Sequence, residues 1–322
     1  MNIQNIIIHL HLKIKHINNL IFLFMNLKSF LMSGLLALLS VTFVFGQSNS
    51  NVTIGVRGGL TMPGFTGGSG DPLSDGYSST TRLGAGIFAE FKISNLFSIQ
   101  PMLEYSQEGA KRNGMQALIA TASDQNLYGG LQQAMQGLQQ MGVGNGSVPT
   151  YLYADVNSIA KMDFLMLPVL AKFGWNFTKS SPWRVYIDAG PYIGLLVNAK
   201  NTVTGNVAIY GDPEKNLQIP PAIPPAMLQV PGVQQMVDGM NEIANGLYGT
   251  QDIKNKLHTV TWGLEGNVGL QYQINFRNKV FIEGGGNYCM MNIQKSTGNG
   301  QYLNGKNHIG AATLMIGYGY AL

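Results

Sequence analysis

The chain has 322 residues, of which 45% are hydrophobic and only 11% are charged, whereas charged residues make up about 25% of a typical soluble domain. Its 41 glycines argue against a helical bundle, its apolar content argues against a disordered chain, and its one cysteine excludes a disulfide scaffold or a Cys-based zinc site. The net charge of +4 does not indicate nucleic acid as a partner. Of the 20 basic residues, three lie in residues 1–46, which contain no acid, leaving 17 against 16 acids in the remainder, a net of +1.

Residues 25–46 are predicted to be a secretory signal peptide. Lys28 supplies the basic start, an apolar run follows from Phe30 to Phe45, and cleavage is expected after Gly46. A transmembrane anchor is the alternative, because the run is nearly long enough to span a bilayer. No basic stop-transfer cluster follows the run, which favours the signal peptide. Residues 1–24 precede a second start at Met25 and are predicted to be an over-extended start of the chain.

Residues 47–322 form one predicted domain, in which apolar and polar residues alternate over stretches of about ten residues. In the clearest stretch, Trp262 and Leu264 share one face with Leu270, and Glu265 and Gln271 share the other. Successive side chains of a strand point to opposite sides, so each stretch predicts a strand with one apolar and one polar face. Eight strands are predicted, over residues 52–60, 82–93, 96–107, 162–175, 183–197, 259–274, 279–295 and 307–322.

The connections between these strands are alternately short and long. Short turns are predicted at residues 94–95, 176–182 and about 275–278, and longer loops at residues 61–81, 108–161, 198–258 and 296–306. Short periplasmic turns and long external loops are typical of outer-membrane barrels. A soluble sandwich or lipocalin also alternates, but its apolar face lies inside. We therefore predict an all-β fold, an eight-stranded antiparallel up-and-down transmembrane β-barrel with periplasmic termini and short helices in the two longest external loops.

The bulk of the side chains indicates which face lies inside. An eight-stranded interior is only just wide enough to be filled by side chains, so large residues such as Trp262, Phe97 and Tyr105 fit better against lipid. Aromatic residues at the short-turn end, among them Trp175 and Trp183, are expected to form an interfacial girdle. The charged residues of the polar face are expected to pair inside the barrel, where isolated ions would be costly. This predicted lumen ion network consists of Arg57, Glu90, Lys92, Glu104, Lys172, Arg184, Asp188, Glu265 and Glu283.

Two external loops, at about residues 108–161 and 198–258, are long enough to be functional. Apolar residues recur in each loop at steps of three or four, which predicts a short amphipathic helix in each. One hypothesis is that these helices bind a partner protein, since flexible Met-rich surfaces suit adaptable contacts. The alternative is that they pack together and cap the barrel mouth. The candidate partner-binding residues are Leu127, Leu131, Met135, Leu138, Met236, Met240, Ile243 and Leu247.

Catalytic and metal chemistry has little support in the sequence. Residues 47–322 contain two histidines, His258 and His308, both expected at the external rim. An outer-leaflet lipid acyltransferase or a barrel protease would use such a histidine, but no spacing singles out a hydroxyl or carboxylate partner. We expect no catalytic residues, no cofactor and no metal site. A water-filled pore is the remaining alternative, and the long charged side chains of the interior argue against it.

Several segments resemble the PorT-like outer-membrane β-barrel family of Bacteroidota. They are FLMLPVLAKFGW at residues 164–175, DAGPYIGLLVNAK at 188–200, GLEGNVGLQYQI at 263–274 and the closing IGYGYAL. The resemblance covers roughly residues 50–322 apart from the two long insertions. It implies an eight-stranded barrel, periplasmic termini and outer-membrane assembly, and some members of the family are linked to secretion machinery.

The sequence thus predicts a protein of the cell outer membrane that is non-enzymatic and that presents external loops for partner binding or scaffolding, with a link to protein secretion implied by the resemblance. Its expected partners are outer-membrane lipid, the barrel assembly machinery and a protein at the external loops. Nucleic acid is not among them.

Overall fold

The computed structural model describes residues 51–67, 73, 76–119, 132, 136, 139–140, 150–204, 209–216, 218–219, 249–296 and 306–322. The predicted signal peptide at residues 25–46 and the predicted over-extended start at residues 1–24 lie outside these ranges. Within them, no helix is both long enough and apolar enough to cross a membrane.

Eight long antiparallel strands form a closed ring. They are β1 (Val52–Gly67), β2 (Arg82–Lys92), β3 (Phe97–Ile119), β4 (Tyr151–Asn176), β5 (Trp183–Thr204), β6 (Val260–Gln273), β7 (Asn278–Cys289) and β8 (Asn307–Ala321). Each strand pairs with the next in sequence, and β8 pairs with β1, where Val56 lies opposite Tyr318. Closure leaves no unpaired strand edge, which is what a sheet in lipid requires. The predicted all-β, eight-stranded antiparallel barrel is confirmed.

The lipid-facing surface is a band of exposed apolar side chains. Val268, Ile193 and Ile316 are each 58–65% exposed, on three different strands. On β4 the outward residues from Leu165 to Trp175 are apolar or aromatic, whereas Lys161 and Asp163 follow on the same face. That apolar stretch of about eleven residues is the length of a strand that crosses a bilayer.

Aromatic residues lie at the short-turn end of the band. Trp175, Phe177, Trp183 and Phe276 are exposed there, and the rings of Trp183 and Tyr272 are 4.8 Å apart between centroids. Arg277 in the β6–β7 turn donates a hydrogen bond of 3.0 Å to the hydroxyl of Tyr320. These side chains occupy the place expected of an interfacial aromatic girdle.

Strands β3 and β4 continue far beyond the lipid-facing band, which corrects the prediction of a loop over residues 108–161. Residues 108–119 pair with residues 151–162 in an unbroken register, and we call this paired segment the extracellular ribbon. Twelve residues of strand span roughly 40 Å along the chain. The prediction failed because the polarity of the two faces reverses there: Leu152, Ala154 and Val156 point inward and are buried, while Asp155 and Asn157 point outward.

The second predicted long loop, residues 198–258, is also partly strand. β5 extends to Thr204, and the short strand Gly249–Asp252 pairs with its end. Two further short strands, Ile209–Tyr210 and Gln218–Ile219, pair with each other, and the first also pairs with β4. β7, by contrast, ends at Cys289, six residues before the predicted end. The predicted loop helices are not confirmed, since their apolar residues lie outside the described part of the chain.

Candidate functional site

The inner face of the barrel changes in chemistry along the barrel axis. The lower ion cluster, nearest the short turns, contains Glu90, Lys172 and Lys279, and the central ion cluster contains Arg57, Glu104, Glu265 and Glu283. Nearer the long loops lies an apolar plug of ten buried residues: Met162, Phe164, Met166, Tyr192, Leu196, Ala199, Leu257, Cys289, Ile293 and Ile309. The interior therefore contains two ionic layers and an apolar plug, and a second apolar cluster packs beside the ionic layers: Phe88, Met102, Leu170, Tyr186 and Phe281.

The central ion cluster gathers three carboxylates around one guanidinium. Arg57 Nη1 lies 2.6 Å from Glu283 Oε1, Arg57 Nη2 lies 2.6 Å from Glu265 Oε1, and Arg57 Nε lies 3.0 Å from Glu104 Oε2. All four side chains are at most 4% exposed. Because each residue comes from a different strand, β1, β3, β6 or β7, the cluster ties the walls of the barrel together. A planar guanidinium suits this role, since it offers five donors in one plane.

Neutral donors complete the central ion cluster. The Tyr186 hydroxyl donates a hydrogen bond of 2.7 Å to Glu283 Oε2. Asn267 Nδ2 donates to Asp188 Oδ1 at 2.9 Å and to Glu265 Oε1 at 3.1 Å. These bonds stabilise buried carboxylates that one cation alone cannot satisfy.

The lower ion cluster is centred on Glu90. Lys279 Nζ lies 2.6 Å and Lys172 Nζ 3.8 Å from Glu90 Oε2, and Ser98 Oγ donates to Glu90 Oε1 at 2.9 Å. Lys172 also donates to Gln100 at 3.1 Å, and its ammonium lies 3.8 Å from the centre of the Tyr186 ring. Every polar group of this layer thus has a partner of the opposite charge or a hydrogen-bonding neighbour.

The structure buries seven of the nine predicted network residues inside the barrel and places the other two, Lys92 and Arg184, at its short-turn end. Lys92 is the last residue of β2 and is exposed, because a lysine next to the turn can extend its ammonium into water. Arg184 is half-buried at the start of β5 and forms no ion pair with a described residue. The prediction that Lys92 belongs to the lumen network is therefore wrong.

The interior residues outside the predicted network include two charged ones, Lys279 and Glu108. Lys279 is the second residue of β7, and its position at the start of the predicted strand gives no sign that its side chain points inward. Glu108 fell in the predicted loop; it is buried, and it accepts hydrogen bonds from Ser106 at 2.8 Å and Asn287 at 3.2 Å. If the alternation of apolar and polar residues is followed past residue 107, where the predicted strand ends, Glu108 falls on the polar, inward face.

With these changes the interior is richer in acid than predicted. Among the described residues, the buried acids are Glu90, Glu104, Glu108, Asp188, Glu265 and Glu283, and the buried cations are Arg57, Arg112, Lys172 and Lys279, of which Arg112 lies at the external mouth. Hydrogen bonds from serine, asparagine and tyrosine compensate part of this excess. No group of three or more His, Cys, Asp or Glu side chains among the described residues could hold a metal ion.

The two rim histidines lie near the long-loop ends of their strands. His308 Nδ1 lies 3.2 Å from the carbonyl oxygen of Cys289, and its ring stacks on Tyr288 with centroids 5.9 Å apart. The backbone N–H of His258 donates to the carbonyl of Ile293 at 2.8 Å. No hydrogen bond joins either ring to a serine or carboxylate among the described residues. The candidate partner-binding residues of the two loops lie outside the described part of the chain.

A closed ring of eight strands, with an apolar outer band, an aromatic girdle and a charged interior, defines a transmembrane β-barrel protein of the outer membrane. The chain belongs to the outer membrane protein beta-barrel domain family, whose model matches residues 45–295.

Solved structures of similar fold are also outer-membrane barrels. Neisserial surface protein A is 10% identical, with a TM-score of 0.34, 84% of this chain covered and 97% of that chain. Ail, the attachment invasion locus protein of Yersinia pestis, is 11% identical, with a TM-score of 0.30 and coverages of 84% and 98%. The outer membrane protease OmpT of Escherichia coli is 9% identical, with a TM-score of 0.38 and coverages of 84% and 97%. These likenesses carry no inference about activity. Among curated proteins, none matches this chain.

Proposed function

We propose that the protein is a non-enzymatic outer-membrane barrel with a closed lumen, which holds the extracellular ribbon and its neighbouring loops at the cell surface to bind a partner protein. The observation that supports this function is the ribbon itself. β3 and β4 need about eleven residues each to cross the bilayer, yet they contain 23 and 26 residues. The additional length serves no purpose in membrane anchoring, so it supports a role outside the membrane.

The interior supports the choice of a scaffold over a channel. An eight-stranded barrel has little space inside, and here two ion clusters and an apolar plug occupy it. Ions would have to displace Met162 and Leu196, which are each 1% exposed, to pass the plug. The barrel thus acts as a rigid anchor, in contact with outer-membrane lipid and inserted by the barrel assembly machinery.

The outer face of the ribbon has the composition of a protein-binding surface. Tyr151 and Tyr153 are half-buried on that face, and Tyr is enriched at interfaces. Asp155 forms an ion pair with Lys215, so the ribbon and the neighbouring loop present their side chains together. A surface built on paired strands costs little conformational entropy when it binds, because its backbone is already ordered.

A ribbon truncation tests the proposal. Gly114 lies opposite Val156 in the register, so replacing residues 115–155 by Asn-Gly would close the hairpin with a two-residue turn. We expect the barrel to remain folded, with its usual resistance to SDS without heating, while cross-linking of a partner on intact cells is lost. Lys179→Ala, in the turn at the opposite end, is the control and should keep the partner. Undiminished cross-linking after truncation would contradict the proposal.

A smaller deletion addresses the two roles predicted for the loop helices. Removing residues 115–145 takes out Leu127, Leu131, Met135 and Leu138 and should abolish partner capture without loss of barrel stability if the loop forms a platform. A collapsed barrel would instead show that the loop is a cap.

The resemblance to PorT-like barrels supports a finer version of the proposal, in which the partner belongs to a protein-secretion apparatus. Cells that produce only the truncated ribbon variant would then secrete fewer proteins than cells with the full chain. Unchanged secretion would remove this part of the proposal and leave the binding role standing.

Non-enzymatic action is itself part of the proposal, and the alternative is an outer-leaflet enzyme that uses His258 or His308. Replacing both histidines by alanine should leave lipid A structure and surface proteolysis unchanged. A change in either would support the lipid acyltransferase or the protease.

A further inference from the structure

A cavity of about 210 Å³ opens at the external mouth of the barrel, directly above the apolar plug. Its floor is formed by Met162, Leu257 and Ile293, which belong to the plug and are 1–5% exposed. Its walls include Val156 of the extracellular ribbon and Val203 of β5, which pack with Ala154 in a separate apolar cluster. The lower part of the cavity is therefore apolar and shielded from water.

The charged residues that line this cavity are all basic. They are Arg112, Lys256 and Lys295, and no carboxylate lies among the described lining residues. The Lys295 N–H donates to the carbonyl oxygen of Lys256 at 3.0 Å, which fixes the two lysines beside each other on one rim. Neither lysine forms an ion pair with a described residue. Lys295 Nζ donates to the carbonyl oxygen of Asn255 at 3.2 Å. Two adjacent cations with no counter-ion among the described residues create a positive potential at the mouth.

The third cation lies on the opposite wall and is held in place by its neighbours. Arg112 Nη1 donates to the carbonyl oxygen of Leu73 at 3.2 Å, and its guanidinium lies 5.3 Å from the centre of the Tyr77 ring. Burial raises the pKa of Tyr77, so this hydroxyl stays protonated and adds no negative charge to the cavity. The guanidinium therefore lies on the wall opposite the two lysines in a fixed position.

We propose that the mouth cavity binds a small organic anion with an apolar tail, whose carboxylate lies against Lys256 and Lys295 and whose tail rests on Met162, Leu257 and Ile293. At about 30 Å³ for each group of water size, the cavity holds about seven such groups. A six-carbon carboxylate is of this size. Binding here does not depend on a protein partner at the ribbon, because the cavity lies inside the mouth.

The test uses the full-length barrel in detergent, titrated calorimetrically with hexanoate. Hexanol and hexylammonium serve as neutral and positive ligands of the same length. We expect saturable binding of hexanoate and much weaker binding of the other two, because the carboxylate gains charge-assisted hydrogen bonds from the two exposed lysines that hexanol and hexylammonium cannot make. Equal binding of all three, or no saturable binding of hexanoate, would overturn the proposal.

Variants locate the site. The double substitution Lys256→Gln and Lys295→Gln should lower hexanoate affinity about tenfold or more. Lys254→Gln is the matched control, because Lys254 lies on the same short turn but donates to the Val197 carbonyl at 2.7 Å and does not line the cavity. Ala160→Leu, which fills the cavity, should also weaken binding without touching a charge. Unchanged affinity in both the double variant and Ala160→Leu would place hexanoate elsewhere and overturn the site.

Discussion

The hydroxyl of Tyr186 on β5 lies 2.7 Å from Glu283 Oε2 on β7, while the other oxygen of the same carboxylate lies 2.6 Å from Arg57. One carboxylate thus joins a neutral donor and a cation. We expect Tyr186→Phe to lower the free energy of unfolding by about 1–3 kcal/mol, because a buried carboxylate oxygen loses its donor. Urea unfolding followed by tryptophan fluorescence measures the change, and Tyr153→Phe on the ribbon is the control. Equal stability of the two variants would contradict this role for Tyr186.

Removing the cation of the central ion cluster should lower the free energy of unfolding by more than Tyr186→Phe does. Arg57→Met leaves Glu104, Glu265 and Glu283 buried without their guanidinium, and we expect a loss of about 3–5 kcal/mol. Combining Arg57→Met with glutamine at all three acids removes the uncompensated charge and should restore most of the stability. If the combined variant were no more stable than the single one, charge compensation would not be the reason.

Glycine is required where an aromatic ring lies flat against the inner wall. A Cβ added to Gly269 would lie 2.1 Å from Cζ of Tyr186, whereas one added to Gly284 would meet nothing closer than 3.9 Å. We expect Gly269→Ala to destabilise the barrel by about 1–3 kcal/mol through overpacking. Gly284→Ala, on the neighbouring strand, should be close to neutral. A similar loss in both variants would show that strand flexibility, and not the ring contact, sets the cost.

Arginine substitutions on the outer face can locate the boundary between the membrane and the extracellular ribbon. Val268 is 58% exposed near the middle of the lipid-facing band, and Val268→Arg should destabilise the barrel by about 2–4 kcal/mol. Ile159→Arg, on the outer face of the ribbon, should cost little because that side chain already faces water. A comparable loss at Ile159 would place the ribbon inside the bilayer.

The filled interior predicts that the barrel does not conduct. We expect no steady current from the purified protein in planar bilayers, since the ion clusters and the plug leave no continuous water path. Detergent-only additions provide the background. A stable single-channel current of reproducible size would contradict the closed lumen.

The strands and their orientation follow from the sequence because lipid imposes a strict rule: every outward residue of the band must be apolar. Trp262 and Leu264 obey it and are 54% and 52% exposed, so alternation alone identifies their face. The rule no longer holds beyond the bilayer. There Ala154 and Val156 point inward and Asp155 points outward. Because a membrane strand is recognised by apolar residues on its outward face, this reversed pattern predicts a loop.

The interior is harder to predict, because what a lumen residue contacts depends on side chains from distant strands. The apolar plug was missed for this reason: Phe164 of β4 and Ile309 of β8 meet only when the ring closes. Lys92 and Lys279, at the short-turn end of the barrel, also show that the contacts of a lumen residue cannot be predicted from its own strand. Both lie next to a turn in sequence, yet only Lys279 reaches Glu90, and strand parity cannot tell the two apart.

The origin of the residues around Arg57 has a consequence for how the protein forms. Its carboxylate partners lie 47, 208 and 226 residues further along the chain. Until β6 and β7 arrive, Arg57 can meet only Glu104, and the acids of the later strands have no guanidinium to join. The first and last strands meet only when the ring closes. Closure of the ring is therefore also the step that brings the buried charges into register.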